Sequence, residues 1–292
     1  MVEMKLIECP RDAMQGIHPF IPTGTKVEYL NALLRVGFDT IDIGSFVNPK
    51  AIPQLADTAE VLHRLDLDGV KSKLLVIVAN ERGAEEAVQH GMVHYVGYPF
   101  SISETFQRRN TNTDIEGSWA RTAHIAETAR KAGKKLVVYL SMGFGNPYGD
   151  PWSPEIALHW TDRLVNELGV RIIALSDTVG VARPEDISAM FHALLGEWGR
   201  HPGQRAGVEF GAHLHARLDN WRIKTDAAWN AGCRRFDGAL KGYGGCPMAE
   251  DDLVGNLAME QFVQHLESTG HATGLDLEQM DRCVDLAARV FP

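Results

Sequence analysis

Gly211-Ala212-His213-Leu214-His215 closes an apolar-leaning run over 206–210 and reads as the end of a β-strand. Side chains two apart on a strand share a face. His213 and His215 therefore aim two imidazoles at one point, while Leu214 packs the other way. Two converging neutral imidazoles are half of a divalent-metal site. The competing arrangement is one histidine bonded in the core and one exposed. Asp12 would add a carboxylate oxygen and Asn256 an amide oxygen. With water completing six-coordination, that donor set suits Mg²⁺ or Mn²⁺ better than a closed zinc site. Arg11 stands next to Asp12, either as a salt bridge or as a cation for negative charge developing on an oxygen. Asp42 and Asp177 each read as a strand-end acceptor or as a group in the chemistry. For Asp42 that group is a base or an orienting residue; for Asp177 the orienting role is favoured. Cys246 lies in a glycine-dense stretch, Gly242-Tyr243-Gly244-Gly245-Cys246. It is either an inert thiol or the catalytic group of a lid.

These residues meet only if the strands carrying them end on one rim. Short apolar runs alternate with amphipathic stretches along the whole chain. Strands are expected at 4–9, 40–44, 73–79, 93–98, 136–142, 171–176, 208–213 and 234–238. Helices are expected at 26–36, 57–65, 84–90, 119–132, 154–168, 184–197 and 225–231, where apolar residues recur at helical spacing. Thr23 is the expected cap of the first helix and Gly37 its stop. Eight strand–helix units favour closure into an α/β (β/α)8 TIM barrel, whose active site gathers at the C-terminal strand ends. An open doubly wound sheet would show a Gly-rich phosphate turn after strand one; Pro10-Arg11-Asp12 stands there instead. Further helices are expected at 260–266 and 277–290. The chain thus reads as one domain over 1–292, with the barrel over about 1–240 and the cysteine loop and C-terminal helices over about 241–292.

A chain of 292 residues suits a single barrel. The net charge of −9 argues against nonspecific nucleic-acid binding, which needs a basic face. No apolar run approaches a membrane span, and residues 1–10 lack a signal-peptide layout. Four scattered cysteines without C-x-x-C pairs fit reduced thiols. The expected location is the cytoplasm.

The motifs Ile7-Glu8-Cys9-Pro10-Arg11-Asp12 with Gln15, Gly44-Ser45-Phe46-Val47-Asn48-Pro49-Lys50, Asp177-Thr178-Val179-Gly180, His213-Leu214-His215, and Gly244-Gly245-Cys246-Pro247 followed by Gly255-Asn256-Leu257 occur in this order. The set resembles the 3-hydroxy-3-methylglutaryl-CoA lyases, members of the metal-dependent lyase and condensing-enzyme barrels. The likeness covers nearly the whole chain. It implies a TIM barrel and retro-aldol (Claisen-type) cleavage to acetyl-CoA and acetoacetate. It also implies a metal on Asp12, His213, His215 and Asn256 that chelates the substrate's tertiary hydroxyl and a carboxylate oxygen. Arg11 would neutralise the enolate oxygen, with proton transfers by Cys246 and His213. Members of this family often pair as homodimers.

Asp42 stands where the family carries a catalytic glutamate and is one methylene shorter. Ala216 replaces an aspartate, Ala174 a frequent serine, and 238–243 departs from the usual serine-bearing segment. Lys50, Arg108 and Arg109 are candidate cations for CoA phosphates. A metal-dependent condensing acyltransferase or a 2-oxo-acid aldolase on the same barrel is the competing chemistry. A barrel kept as a binding protein is the competing non-enzyme.

Overall fold

The computed structural model describes residues 4–199, 207–245 and 254–291. Its strands are β1 Lys5–Glu8, β2 Thr40–Ser45, β3 Lys73–Ile77, β4 Val93–Ser101, β5 Lys135–Ser141, β6 Ile172–Asp177, β7 Glu209–Leu214 and β8 Arg235–Gly238. Each pairs in parallel with the next, and β8 pairs with β1, so the sheet closes. The eight-stranded barrel expected from the repeat is present.

Period-two alternation sorts the strand residues. Leu75, Ile77, Tyr95, Val137, Tyr139, Ile172 and Ala174 pack together in the lumen. Their neighbours Leu74, Val76, Val96, Val138, Leu140, Ile173 and Leu175 join the layer between sheet and helices. A parallel strand buried on both faces must be apolar on both, which is why these strands read as runs.

The helices are α1 Pro10–Met14, α2 Thr23–Leu33, α3 Thr58–His63, α4 Glu81–Ala87, α5 Glu104–Thr111, α6 Ile115–Lys131, α7 Pro154–Asn166, α8 Pro184–Trp198, α9 Trp221–Asn230, α10 Met259–Ser268 and α11 Leu277–Val290. Two of them are additions to the expected set. Helix α1 is a single turn opened by Pro10, whose fixed φ suits a first helical position; five residues are too few to show a period. Helix α5 is polar, with only Phe106 and Gln107 buried, so it has no apolar stripe to read. Its start is marked by Ser103, which accepts from Phe106 N at 3.2 Å.

Thr23 is not a cap. It is the first residue of α2, and its hydroxyl donates to Asp57 Oδ2 at 2.8 Å instead. The expected C-terminal helices are both present. The last of them, α11, packs on α2, with Gln279 Nε2 donating to Ala32 O at 3.0 Å. No described helix is long and apolar enough to cross a membrane.

Candidate active site

Strand ends and the loops after them enclose a cavity of about 470 Å³ at the C-terminal rim. Arg11, Asp12, Tyr139, Thr178, His213 and His215 are among the residues that border it. Arg11 and Asp12 reach the rim from α1, directly after β1, rather than from the strand itself. His213 is the fifth residue of β7, and His215 follows the strand end. One ligand-capable atom each from Asp12, His213 and His215 lies within 4.8 Å of the others, and all three residues are buried. The predicted carboxylate and imidazole pair therefore meet.

The donor set fits a divalent cation. His215 Nδ1 is buried without a hydrogen-bond partner among the described residues. Burial, with charge on His213, pushes the His215 imidazole down to about 4, so it is neutral and able to ligate at physiological pH. Burial alone would raise Asp12, but Arg11, the two histidines and an Asn256 hydrogen bond hold it below the usual carboxylate range. Burial alone would lower His213, but Asp237 and Asp12 outweigh it and raise its imidazole. An anion and two imidazoles facing one point suit a divalent cation.

Asn256 adjoins this group through its amide nitrogen. Its Nδ2 donates to Asp12 Oδ2 at 2.7 Å and to Tyr243 O at 2.8 Å. An oxygen ligand from Asn256 requires the amide to turn over. Gly244 makes this packing possible: at φ +98° a Cβ there would stand 2.6 Å from Asn256 Nδ2 and 2.9 Å from Asp12 O.

Arg11 is the hub of the polar wall. Its Nε and Nη2 donate to Asp42 Oδ2 at 3.0 and 2.6 Å, and its Nη1 donates to Asp12 Oδ1 at 2.7 Å. Burial pulls against its charge, but the two aspartates outweigh that and push Arg11 further up, so it stays a cation. Gln15 completes the clamp, donating to Asp12 Oδ1 at 3.0 Å and accepting from Arg11 at 3.1 Å. Asp42 lies inside β2 rather than at its end and is fully buried. Arg11 stands between it and the cavity. Burial pushes the Asp42 carboxyl up to about 6 despite Arg11.

Asp177 ends β6 away from the imidazoles' ligand atoms. Its Oδ2 accepts from Lys224 Nζ at 2.7 Å, and Lys224 donates onward to His215 O at 3.0 Å. It thus steadies the backbone of one histidine. Burial raises the Asp177 carboxyl against this pairing. Lys50, Arg108 and Arg109 are not brought onto the cavity wall. Arg108 is exposed and pairs with Glu104 and Asp114, and Arg109 lies over the Tyr148 ring. Cys246 falls outside the described residues. Cys9, Cys233 and Cys283 are free and buried, as expected of reduced thiols.

Several polar residues escaped the sequence reading. Arg121 of α6 borders the cavity, held by Ala79 O and Thr111 O at 3.1 Å each. Asp237 of β8 lies with its Oδ2 3.5 Å from His213 Nδ1. Arg235, two residues earlier on the same face, places Nε 3.7 Å from Asp237 Oδ1. The available signal was two charged residues at period two inside a short buried strand.

Comparison with known proteins identifies the family. The family model described as HMGL-like matches residues 5–286. The cytoplasmic 3-hydroxy-3-methylglutaryl-CoA lyase of Rattus norvegicus is 31% identical over 98% of this chain and 80% of its own length. The (R)-citramalyl-CoA lyase of Chloroflexus aurantiacus is 32% identical over 93% of this chain and 85% of its own. An HMG-CoA lyase from Acinetobacter baumannii, solved with coenzyme A and 3-methylmalate, superposes with a TM-score of 0.89 at 29% identity, covering 99% of this chain and 91% of that one. With almost every residue of the barrel inside these matches, the chain belongs to the HMGL-like family and is a carbon–carbon lyase.

Proposed function

We propose that the protein cleaves 3-hydroxy-3-methylglutaryl-CoA, or a close 3-hydroxyacyl-CoA, to acetyl-CoA and acetoacetate or its counterpart. The observation that carries this reading is the convergence of Asp12, His213 and His215 within 4.8 Å on a cavity bordered by Arg11. A bound Mg²⁺ or Mn²⁺ would supply Lewis acidity, lowering the pKa of the substrate's tertiary hydroxyl. Arg11 offsets negative charge on the enolate oxygen formed as the carbon–carbon bond breaks. Asp42 acts through Arg11, keeping the guanidinium aimed and partly neutralised. Cys246 moves the proton to the enolate carbon, His213 serves as a ligand rather than as the proton carrier the resemblance implies, and Asn256 completes the ligand set through its oxygen. Lys50, Arg108 and Arg109, which stand off the cavity wall, are the candidate partners of CoA phosphates outside it. The enzyme is read as a cytoplasmic homodimer that acts on small acyl-CoA substrates and does not bind nucleic acid.

The citramalyl-CoA lyase relative supports a second substrate reading, in which the C3 substituents differ and the oxo product is pyruvate. The test offers both CoA thioesters with Mg²⁺ or Mn²⁺ and separates the products. Acetoacetate with acetyl-CoA supports the first reading, and pyruvate with acetyl-CoA the second. Free CoA formed from acetyl-CoA and a 2-oxo acid, without cleavage of either thioester, would replace both with the condensing acyltransferase.

A further inference from the structure

We propose that Asp237 is the positioning residue of His213, fixing which ring nitrogen carries the proton and so which one is left to ligate. The inference rests on the reading of Asp12, His213 and His215 as metal ligands. Strands β7 and β8 pair in a register that sets His213 directly beside Asp237. The two side chains are therefore neighbours by backbone construction. The 3.5 Å separation of His213 Nδ1 from Asp237 Oδ2 is an ion-pair contact slightly beyond a formed hydrogen bond. Among the described residues neither Nδ1 nor either Asp237 oxygen has a hydrogen-bond partner, and all three atoms are buried. Cys9 Sγ lies within 4.8 Å of both groups, but its thiol donates to Ile7 O. With Nδ1–H directed at Asp237, His213 Nε2 keeps its lone pair for the cation. Ligating histidines whose second nitrogen meets a carboxylate are better oriented and more basic ligands.

A carboxylate this deep needs a neighbouring cation. Arg235 provides it. Its side chain crosses the lumen over Gly211, where a Cβ would sit 2.7 Å from Arg235 Cδ. Its Nη1 reaches Glu209 Oε1 at 3.3 Å, and Glu209 Oε2 meets Lys5 Nζ at 2.5 Å. Two cations and two anions thus run from the floor of the barrel to the back of His213. Tyr139 stands edge-on to the His213 ring, with centroids 5.5 Å apart.

The test uses the full chain with Mn²⁺ alone as probe. In metal-free protein carrying ¹⁵N-labelled histidine, long-range proton–nitrogen correlations read the His213 tautomer, assigned through His213→Gln. The expected form is Nδ1–H; an Nε2–H ring in the unsubstituted protein overturns the proposal whether or not any Asp237 variant folds. Asp237→Ala is expected to raise the Mn²⁺ Kd about 10- to 100-fold. Asp237→Asn, which keeps an acceptor oxygen, is expected to recover part of the loss. Equal Mn²⁺ binding by the unsubstituted protein and Asp237→Ala overturns the positioning role alone. No Mn²⁺ uptake by the unsubstituted protein overturns the ligand set and this proposal with it. A further expected signature is lowered kcat at saturating Mn²⁺ with KM nearly unchanged.

Discussion

Arg11 gives two hydrogen bonds to a single oxygen of Asp42, at 3.0 and 2.6 Å, and leaves the other oxygen buried without a partner among the described residues. A carboxylate solvated so one-sidedly is the physical origin of its raised pKa: desolvation outweighs one cation. Above about 6 the group is an anion that aims Arg11; below it, the anchor is neutral. The expected kcat/KM profile therefore falls as pH drops through about 6. Asp42→Asn should lack that limb and lose rate by up to about 10²–10³, the cost of one misplaced oxyanion donor. A variant that keeps the limb would clear Asp42 of this role.

Removing a proposed ligand should cost more than removing a group that orients one. Asp12→Asn and His215→Ala are each expected to weaken Mn²⁺ binding more than about 100-fold, beyond the range of orienting groups. Treatment of the unsubstituted enzyme with a chelator should abolish cleavage, and Mg²⁺ or Mn²⁺ should restore it. Full activity in chelator would refute the metal reading.

Lys224 and Asp177 form a buried pair, with side chains 3% and 0% exposed. Lys224→Met leaves the carboxylate buried and uncompensated, at a cost of about 3–5 kcal/mol. Thermal denaturation should show Tm lowered by roughly 10 °C. Adding Asp177→Asn should recover part of the loss, because the two substitutions share one interaction. Additive losses would show that the pair is not coupled.

Gly244→Ala is expected to damage metal binding beyond its effect on stability. The new methyl group meets Asn256 Nδ2 and Asp12 O at once, and φ is positive there. Overpacking of this kind costs about 1–3 kcal/mol. Calorimetry should show a weakened Mn²⁺ isotherm in a protein that still unfolds cooperatively.

Arg108→Ala and Arg109→Ala should raise KM for the CoA thioester more than they lower kcat, as loss of uniform binding does. Steady-state kinetics on each variant checks this. A fall in kcat at constant KM would remove them from the binding role.

The barrel was legible because parallel strands and their covering helices carry separate periods, two and 3.6. The bounds of α11, Leu277–Val290, follow directly from its apolar stripe. The metal candidates were legible because His213 and His215 share a strand face and Asp12 stands at a strand end. Asp237 was not, because its meaning depends on which strand lies beside β8 and in what register. Asp42 read as a strand end but sits mid-strand, since β2 continues through Ser45. Arg121 was hidden for another reason: it is a helix residue whose Nη1 is held at the cavity by Ala79 O and by Thr111 O at the end of α5.

Ring closure has a consequence for when activity can arise during folding. Asp12 follows the first strand and His213 sits on the seventh, and the β8–β1 ladder, with Ile7 opposite Asp237 and Glu8 opposite Gly238, closes the ring between these two edges. Contacts this distant along the chain form slowly. A refolding chain should regain helix content first and Mn²⁺ capture last, when that seam zips, and neither half of the chain alone should hold the ion.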